Sequence, residues 1–260
     1  MDSSKSLTLL KIGGNVIDNP SVLESVLRDF SSLQCNKILV HGGGKIASKL
    51  MTQLGIVPKM IEGRRITDRE TLDVVTMVYA GLINKNIVAA LQRLSCNAIG
   101  LTGADANLIP AKIRPVKDVD YGFVGDPIPD YVSANTINDI VNMGLVPVIA
   151  PITHSEGILL NTNADTVASS VAVAMAKKNR VNLIFCFEKN GVLRNIDDES
   201  SVIDFLDQKL YGRYKDDGVI SAGMIPKLDN AFAALHANVS EVRICSPEGI
   251  HHGGTKIRLK

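Results

Sequence analysis

The sequence carries almost no excess charge of either sign, because 28 Lys and Arg residues face 27 Asp and Glu residues. This balance excludes the overall field that recruits nucleic acid or an acidic membrane surface. No uninterrupted run reaches the roughly 18 apolar residues of a membrane span. The first five residues, MDSSK, contain an acid and lack the apolar core of a signal peptide. We therefore expect a cytoplasmic protein that binds neither nucleic acid nor a membrane.

Several sequence signatures of chemistry are also missing. The four cysteines lie far apart with no CxxC spacing, which predicts reduced thiols and no metal site. No segment matches the GxxxxGK[ST] phosphate loop or the GxSxG turn of hydrolases. A P-loop enzyme and a hydrolase with that turn are therefore excluded.

Two apolar runs near the N-terminus each end in consecutive glycines. Residues 7–12 lead into Gly-Gly at 13–14, and residues 37–40 lead into His-Gly-Gly-Gly at 41–44. A strand that ends in glycines before a helix presents free backbone N–H groups at the positive helix end, where phosphates and carboxylates bind. Two such loops, the first preceded by Lys11, predict two anionic groups held face to face. Phosphoryl transfer requires this geometry.

Along the chain, short runs rich in Val, Ile and Leu alternate with helical patterns. This alternation predicts an α/β fold with a mostly parallel sheet covered on both faces. Predicted elements include a helix that starts at Pro20 and a buried strand at residues 145–150. There is no linker or repeat, so a boundary near Asp165 is expected to divide two lobes, 1–165 and 166–260, of one continuous fold.

A long helical pattern begins at a capping-box motif, residues 67–70, and runs to about Leu94. Its apolar residues cover more than one face, so we expect burial on two sides, either in a subunit interface or inside the fold. Residues 111–114 and 120–125 follow this helix and are predicted to form a hairpin.

The second glycine loop also fits a different kind of site. Residues 42–47 match the dinucleotide-binding pattern GxGxxA after a strand and at a helix start, which favours NAD binding. That pattern normally follows the first strand of its unit, whereas this loop follows the second. Its position argues against the NAD-binding alternative.

Three further segments carry groups suited to anions. Arg65 stands just before a helix start, where a guanidinium can hold a carboxylate through two hydrogen bonds. Asn161 and Asp165 flank a loop that enters a helix, and Lys227 follows Pro226 at another helix start. Taken singly, these segments are more typical of a surface arginine pair, an Asx-rich helix cap and a solvated lysine.

Taken together and in order, the segments resemble the amino-acid kinase family. The resemblance spans nearly the whole chain and rests on these motifs: Lys11-x-Gly13-Gly14, His41-Gly42-Gly43-Gly44, Gly63-x-Arg65-x-Thr67, Val124-Gly125, Asn161-x-Asn163-Ala164-Asp165, Gly191-Val192-Leu193 and Gly223-Met224-x-x-Lys227. It implies a three-layer αβα sandwich around a mostly parallel central sheet. The N-terminal lobe would hold the acyl amino acid and the dimer contact, and the C-terminal lobe would hold ATP.

The resemblance implies transfer of a phosphoryl group from ATP to the γ-carboxylate of N-acetyl-L-glutamate in arginine biosynthesis. Gly43 and Gly44 would hold the reacting carboxylate through their N–H groups, and Arg65 with Asn161 would hold the α-carboxylate. Because a carboxylate is already a nucleophile at neutral pH, no general base is needed.

The resemblance also implies roles at the phosphoryl group. Gly13 and Gly14 would bind phosphate. Lys11 from one lobe and Lys227 from the other would stabilise the charge on the transferred group, and Asp165 would orient both lysines.

For the nucleotide, the family implies contacts in the C-terminal lobe. The expected residues are Glu188, Gly191, Val192, Leu193, Val219, Ile220, Ser221 and Gly223. The family usually has Ser or Thr followed by Asp where this chain has Phe187-Glu188, so the contacts there are expected to differ. Mg²⁺ is expected to arrive with ATP, and no protein ligand for it is predicted.

The acyl group of the substrate is the least determined feature. Sequences that this one resembles usually have an apolar residue near the acetyl methyl, where this chain has Arg64. An arginine facing a methyl group would be desolvated without a partner, and a second carboxylate, as in N-succinyl-L-glutamate, would supply one. Alternatively Arg64 points outward, since neighbours in an extended segment face opposite ways. Family frequency favours N-acetyl.

Two further alternatives keep the same fold. Another kinase of the family, acting on carbamate, aspartate or uridylate, fits less well because Arg65 and Asn161 suit a substrate with a free α-carboxylate. A non-catalytic amino-acid sensor fits less well because Lys11, Asp165 and Lys227 are all present.

The oligomeric state is also implied by resemblance. Relatives that arginine inhibits carry an N-terminal helical extension that joins dimers into hexamers. Because the first strand here is predicted to begin near Leu7, we expect a homodimer that is insensitive to arginine.

Overall fold

The computed structural model describes residues 6–61, 63–220 and 223–260. Its strands are β1 (Ser6–Ile12), β2 (Asn36–His41), β3 (Met60–Ile61), β4 (Arg64–Arg65), β5 (Ala98–Leu101), β6 (Ala111–Ile113), β7 (Gly125–Pro127), β8 (Val146–Ile149), β9 (Ile152–Ser155), β10 (Ile158–Asn161), β11 (Arg180–Cys186), β12 (Phe205–Asp207), β13 (Glu241–Cys245) and β14 (Thr255–Arg258). Its helices are α1 (Gly14–Ile17), α2 (Pro20–Ser32), α3 (Gly44–Gln53), α4 (Arg69–Thr76), α5 (Asn84–Arg93), α6 (Ala134–Asn142), α7 (Ala164–Ala176), α8 (Gln208–Asp216) and α9 (Ile225–His236).

A single large sheet lies at the centre of the described part of the chain. Eight strands form it in the order β12-β14-β13-β11-β1-β2-β8-β5. Neighbouring strands are parallel except β13 and β14, which are antiparallel. The predicted mostly parallel sheet is confirmed. Because β1 pairs with β2 on one side and β11 on the other, strands from both halves of the sequence share this sheet.

Both faces of the sheet are covered. In β1, Leu7 and Leu9 pack in one apolar core with α6, α7 and α9, whereas Leu10 and Ile12 pack in a second core with α2, α3 and α4. Alternate residues of a strand point to opposite faces, so a strand that is buried at nearly every position, as β1 is, must be covered on both faces. The three-layer αβα sandwich is confirmed.

The long helical pattern is a continuous helix, in which a π-helical segment (Met77–Ile83) joins α4 to α5. The capping box predicted at residues 67–70 is wrong in detail. The N-cap is Asp68, whose side chain accepts a hydrogen bond from the N–H of Thr71 at 2.9 Å. Thr67 is instead fully buried and accepts a hydrogen bond from Asn161.

Among the described residues, the helix Arg69–Arg93 is the one long and apolar enough to cross a membrane by length and composition. Charged residues such as Asp73 and Lys85 interrupt its apolar pattern, so no uninterrupted run marks it in the sequence. Leu72, Val75, Ile87 and other residues of this helix are buried in the second core. We interpret it as a core helix, because such helices meet the same criteria.

The predicted hairpin after this helix is shifted. β6 pairs antiparallel with β7, so its second strand begins at Gly125 rather than at residue 120. The side chain of Asp120 accepts a hydrogen bond from the N–H of Gly122 at 2.8 Å, and Gly122 has a φ of +68°. An Asx turn of this kind ends an extended segment, so the preceding residues form a turn against Thr67 instead of a strand.

Candidate active site

The two glycine loops lie side by side at the carboxyl edge of the sheet. β1 and β2 are parallel with Ile12 opposite His41, so both strands deliver their loops to the same place. The N–H of Gly42 donates to the carbonyl of Ile12 at 3.1 Å, and the N–H of Gly13 donates to the carbonyl of Cys186 at 3.0 Å. The predicted juxtaposition of the loops is therefore present in the fold.

Gly43 is the N-cap of α3 and has a backbone that other residues rarely adopt. Its φ is +145°, and an added Cβ would lie 2.2 Å from Cδ1 of Ile83. Glycine has no side chain, so Ile83 can pack against this turn without a clash. The first N–H groups of α3 lack intrahelical acceptors and can meet a ligand at the positive end of the helix. Gly43 and Gly44 both line the cavity beside the loops.

Asp165 joins the two lysines that the sequence singled out. It lies in the first turn of α7, where Asn163 caps the helix and accepts hydrogen bonds from the N–H groups of Asp165 and Thr166. Lys11 Nζ is 2.6 Å from one carboxylate oxygen of Asp165, and Lys227 Nζ is 2.7 Å from the other. Lysines separated by more than 200 positions therefore share one carboxylate.

Burial controls the charges of this triad. Burial alone would raise the pKa of Asp165, but Lys11 and Lys227 hold it at about 2, so this carboxyl is ionised at neutral pH. Burial lowers the pKa of Lys11, an effect that Asp165 opposes and the nearby charge of Lys227 strengthens. Two lysines share one carboxylate, so the triad carries an excess of positive charge that a bound anion can neutralise.

Arg65 and Asn161 form a second part of the wall. The guanidinium of Arg65 is buried and donates to the carbonyl of Gly44 at 2.9 Å and to the hydroxyl of Ser48 at 2.8 Å. The amide of Asn161 donates to the hydroxyl of Thr67 at 3.0 Å. The structure thus places both groups beside the second glycine loop.

A cavity of about 260 Å³ connects these groups. The predicted residues that line it are Lys11, Gly14, Gly43, Gly44, Arg64, Arg65, Asn161, Asp165 and Lys227. Sequence reasoning missed Tyr79 and Arg114, which also line it. The one signal for Tyr79 is a polar aromatic residue in an otherwise apolar helix, and no sequence signal marked Arg114.

Most of the residues predicted to bind the nucleotide line cavities other than the main one. Glu188 and Gly13 line an open groove of about 530 Å³ that Lys11 and Lys227 share with the main cavity. A separate small pocket is lined by Gly191, Val192, Leu193, Val219 and Ile220 among others. Gly223 is exposed and does not line that pocket, and Ser221 lies outside the described residues.

Arg64 and Arg65 differ in burial, as neighbours in an extended segment do. Arg65 is buried, whereas Arg64 is exposed and lines both the main cavity and an outer cavity of about 460 Å³. Arg64 is therefore exposed to solvent, as the alternative of an outward orientation predicted, and at the same time lines the main cavity.

The family model described as the amino acid kinase family matches residues 6–246 of this chain. The chain belongs to the amino acid kinase family. The predicted resemblance is confirmed, and the glycine loop at residues 42–47 belongs to a kinase of this family rather than to an NAD-binding unit. The buried Lys11, the half-buried Lys227 and their shared carboxylate thus belong to a phosphotransferase fold.

Relatives within the amino acid kinase family match this chain along almost its entire length. An acetylglutamate kinase from Cytophaga hutchinsonii is 55% identical over 248 residues, covering 95% of this chain and 93% of that protein. One from Bacteroides fragilis is 52% identical over 256 residues, covering 98% and 97%. The crystal structure of smu.665 from Streptococcus mutans UA159 is 28% identical with a TM-score of 0.82, covering 98% of this chain and 99% of that one.

His41, at the start of the second glycine loop of this kinase, yields a stability prediction. Its Nδ1 lies 2.8 Å from the carbonyl of Gly42 and its Nε2 lies 3.2 Å from the amide nitrogen of Asn84, a pattern that suits a neutral ring. Burial lowers the pKa of His41 from 6.5 to about 4. The unfolded chain therefore binds a proton at His41 more tightly than the folded protein does. As the pH drops from 6.5 through 4, the free energy of unfolding should fall by about 3 kcal/mol.

Urea unfolding of wild type and His41→Asn at pH 7, 5 and 4 checks this expectation. The variant should lose stability less steeply on acidification, whereas His236→Asn, an exposed position in the last turn of α9, should follow wild type. Equal steepness in wild type and His41→Asn would show that His41 does not cause the loss.

Proposed function

We propose that the protein transfers the γ-phosphoryl group of ATP to the γ-carboxylate of N-acetyl-L-glutamate, giving N-acetyl-L-glutamyl 5-phosphate and ADP. One observation carries this proposal: Lys11 and Lys227 converge on Asp165 beside a helix N-terminus built for an anion. Curated acetylglutamate kinases that are about half identical over nearly the whole chain support it. We further propose that this reaction serves arginine biosynthesis and takes place in the cytoplasm.

The substrate would be held at both of its carboxylates. The N–H groups of Gly43 and Gly44 bind the reacting γ-carboxylate, because the positive end of α3 faces the cavity there. Arg65 and Asn161 bind the α-carboxylate. Their present hydrogen bonds to Ser48 and Thr67 fix the orientation of these side chains before the ligand arrives.

Catalysis consists of alignment and charge neutralisation. The γ-carboxylate attacks the terminal phosphorus of ATP, a new O–P bond forms, and the bond to the β-phosphate oxygen breaks, so no proton must be removed. Lys11 and Lys227 neutralise the charge on the transferred group from opposite sides. Asp165 is ionised and holds both ammonium groups, so it acts as a positioning residue rather than as a base.

ATP would lie in the groove beyond the lysines. Gly13, Gly14 and Glu188 face the phosphates, and Gly191, Val192, Leu193, Val219 and Ile220 surround the pocket for the base or ribose. Ser221 and Gly223 follow this last segment in sequence. The described residues contain no group of three or more His, Cys, Asp or Glu side chains that could hold a metal. We propose that Mg²⁺ arrives bound to the nucleotide, since this ion keeps several waters and binds through one or two carboxylates plus substrate phosphates.

We also propose a homodimer formed through the helix Arg69–Arg93. Its buried side packs in the second core, while Met77 and Leu82 remain 57% and 52% exposed on the other side. A helix that is apolar beyond its core-facing stripe can bury the remainder against a second subunit. This contact belongs to the lobe of residues 1–165, and the nucleotide pocket belongs to the lobe of residues 166–260.

Trapping the acyl phosphate tests the activity. Purified protein with MgATP, N-acetyl-L-glutamate and hydroxylamine should yield a hydroxamate, because hydroxylamine attacks an acyl phosphate. Carbamate, L-aspartate and uridylate serve as the matched panel and should give no ATP turnover. Absence of product with every N-acylglutamate would exclude the kinase and favour a non-catalytic sensor, and turnover restricted to another panel member would reassign the substrate.

A further inference from the structure

Two other cavities, the nucleotide groove and the outer cavity, adjoin the main cavity. The nucleotide groove adjoins it through Lys11, Gly44, Lys227 and other residues near the glycine loops. The outer cavity adjoins it through Arg64 and Arg114 alone among the residues that line both. For a substrate whose γ-carboxylate lies near the lysines and Gly44, the side of the main cavity at Arg64 and Arg114 continues into this outer cavity and offers room for the N-acyl group.

Arg114 is already held in place. Its Nε lies 3.1 and 3.2 Å from the two carboxylate oxygens of Asp126, and its guanidinium lies 5.4 Å from the ring centre of Tyr121. The Arg114 side chain is only 16% exposed. The charge of Arg114 is thus largely neutralised within the protein, and its side chain is held at the junction of the two cavities.

Arg64 differs from Arg114 because it has no such partner. Within residues 6–61, 63–220 and 223–260, no hydrogen bond or ion pair engages its guanidinium, although the side chain lines both cavities. Lys117 adds a second cation to the outer cavity, and Asp118 adds a carboxylate. The wall of the outer cavity therefore combines charged groups with the apolar surface of Pro115, Val119 and Tyr121, which suits a short chain that ends in a charged group.

We infer that this outer cavity is an extension of the acyl subsite, in which Arg64 binds a carboxylate at the far end of the acyl group. The enzyme then accepts, in addition to N-acetyl-L-glutamate, N-acyl-L-glutamates whose acyl group is a short dicarboxylic acid, and Arg64 determines that additional specificity. A guanidinium matches a carboxylate through two parallel hydrogen bonds, which a methyl or amide terminus cannot reproduce. This inference rests on the proposed kinase activity.

Three substrates separate the charge of the acyl group from its length. N-acetyl-, N-succinyl- and N-succinamoyl-L-glutamate are compared by kcat/KM at fixed MgATP, the last being the neutral amide of the succinyl compound. In wild type, the succinyl substrate should exceed the succinamoyl one. In Arg64→Leu, the succinyl-to-acetyl ratio of kcat/KM should fall about 10- to 100-fold, the worth of a charged hydrogen bond. Arg64→Lys should restore part of the ratio.

Arg28→Leu, an exposed arginine on α2, is the matched control and should keep the wild-type ratio. An equal effect of Arg64→Leu on all three substrates, or no change in the ratio, overturns the inference. Wild-type protein that turns over N-acetyl- but not N-succinyl-L-glutamate also overturns the inference. That result would leave the proposed kinase activity in place. Turnover of none of the three substrates rejects the kinase activity itself.

Discussion

Replacing either Lys11 or Lys227 by alanine is expected to lower kcat by about 10²–10³-fold, the usual effect of removing one preorganised charge at a reacting centre. Both ammonium groups already lie within 2.7 Å of Asp165, so they contribute charge without reorganisation. The contacts of the two lysines strengthen as negative charge develops on the transferred phosphoryl group. Each substitution should therefore change kcat more than KM for N-acetyl-L-glutamate.

Steady-state assays at saturating MgATP measure this effect. Lys177→Ala removes an exposed lysine that pairs with the exposed Asp130 and should retain wild-type turnover. Since Lys11 is buried, Lys11→Met, which keeps the apolar stem, guards against a cavity effect on folding. Unchanged kcat in both alanine variants would show that phosphoryl transfer takes place elsewhere.

Asp165→Asn is expected to disturb both the rate and its pH dependence. Burial already lowers the pKa of Lys11, and Asp165 opposes that effect. Without the carboxylate the pKa of Lys11 falls further, so the alkaline limb of the kcat profile should move to lower pH. Because the lysines also lose their common anchor, we expect kcat at neutral pH to fall by roughly 10²-fold.

The same variant should change stability in a pH-dependent way. A lysine whose pKa is lower in the folded state binds its proton more weakly there than in the unfolded chain, so stability rises with pH between the folded value and 10.5. Asp165→Asn should therefore be less stable than wild type at neutral pH and recover part of the difference as the pH rises.

Kinetic pH profiles and urea midpoints at pH 7 and 9.5 test both effects. Asp130→Asn, which removes an exposed carboxylate from its pair with Lys177, should leave the profile and the midpoints near those of wild type. An alkaline limb that stays in place in Asp165→Asn would mean that Asp165 does not control the charge of Lys11.

Local patterns determined much of the fold. The apolar alternation predicted the parallel sheet, and the helix predicted from Pro20 is α2, where Asn19 caps the first turn. Such features depend on a few adjacent residues, and each has a physical cause within the segment. Short elements were not predicted, among them β5, β12 and β14, because three or four residues become a strand only when a neighbouring strand supplies their hydrogen bonds.

Within the candidate site, the sequence by itself determined which residue types bear the chemistry: two glycine loops, two lysines, an acid and an arginine in a specific order. Only the tertiary structure decided that Lys11 and Lys227 share the two oxygens of Asp165, since parallel strands and helix starts from distant segments meet at one sheet edge. It also decided that Arg64 lines two cavities while Arg65 turns inward. The physical reason is that burial and side-chain partners depend on packing between distant segments, which no local pattern encodes.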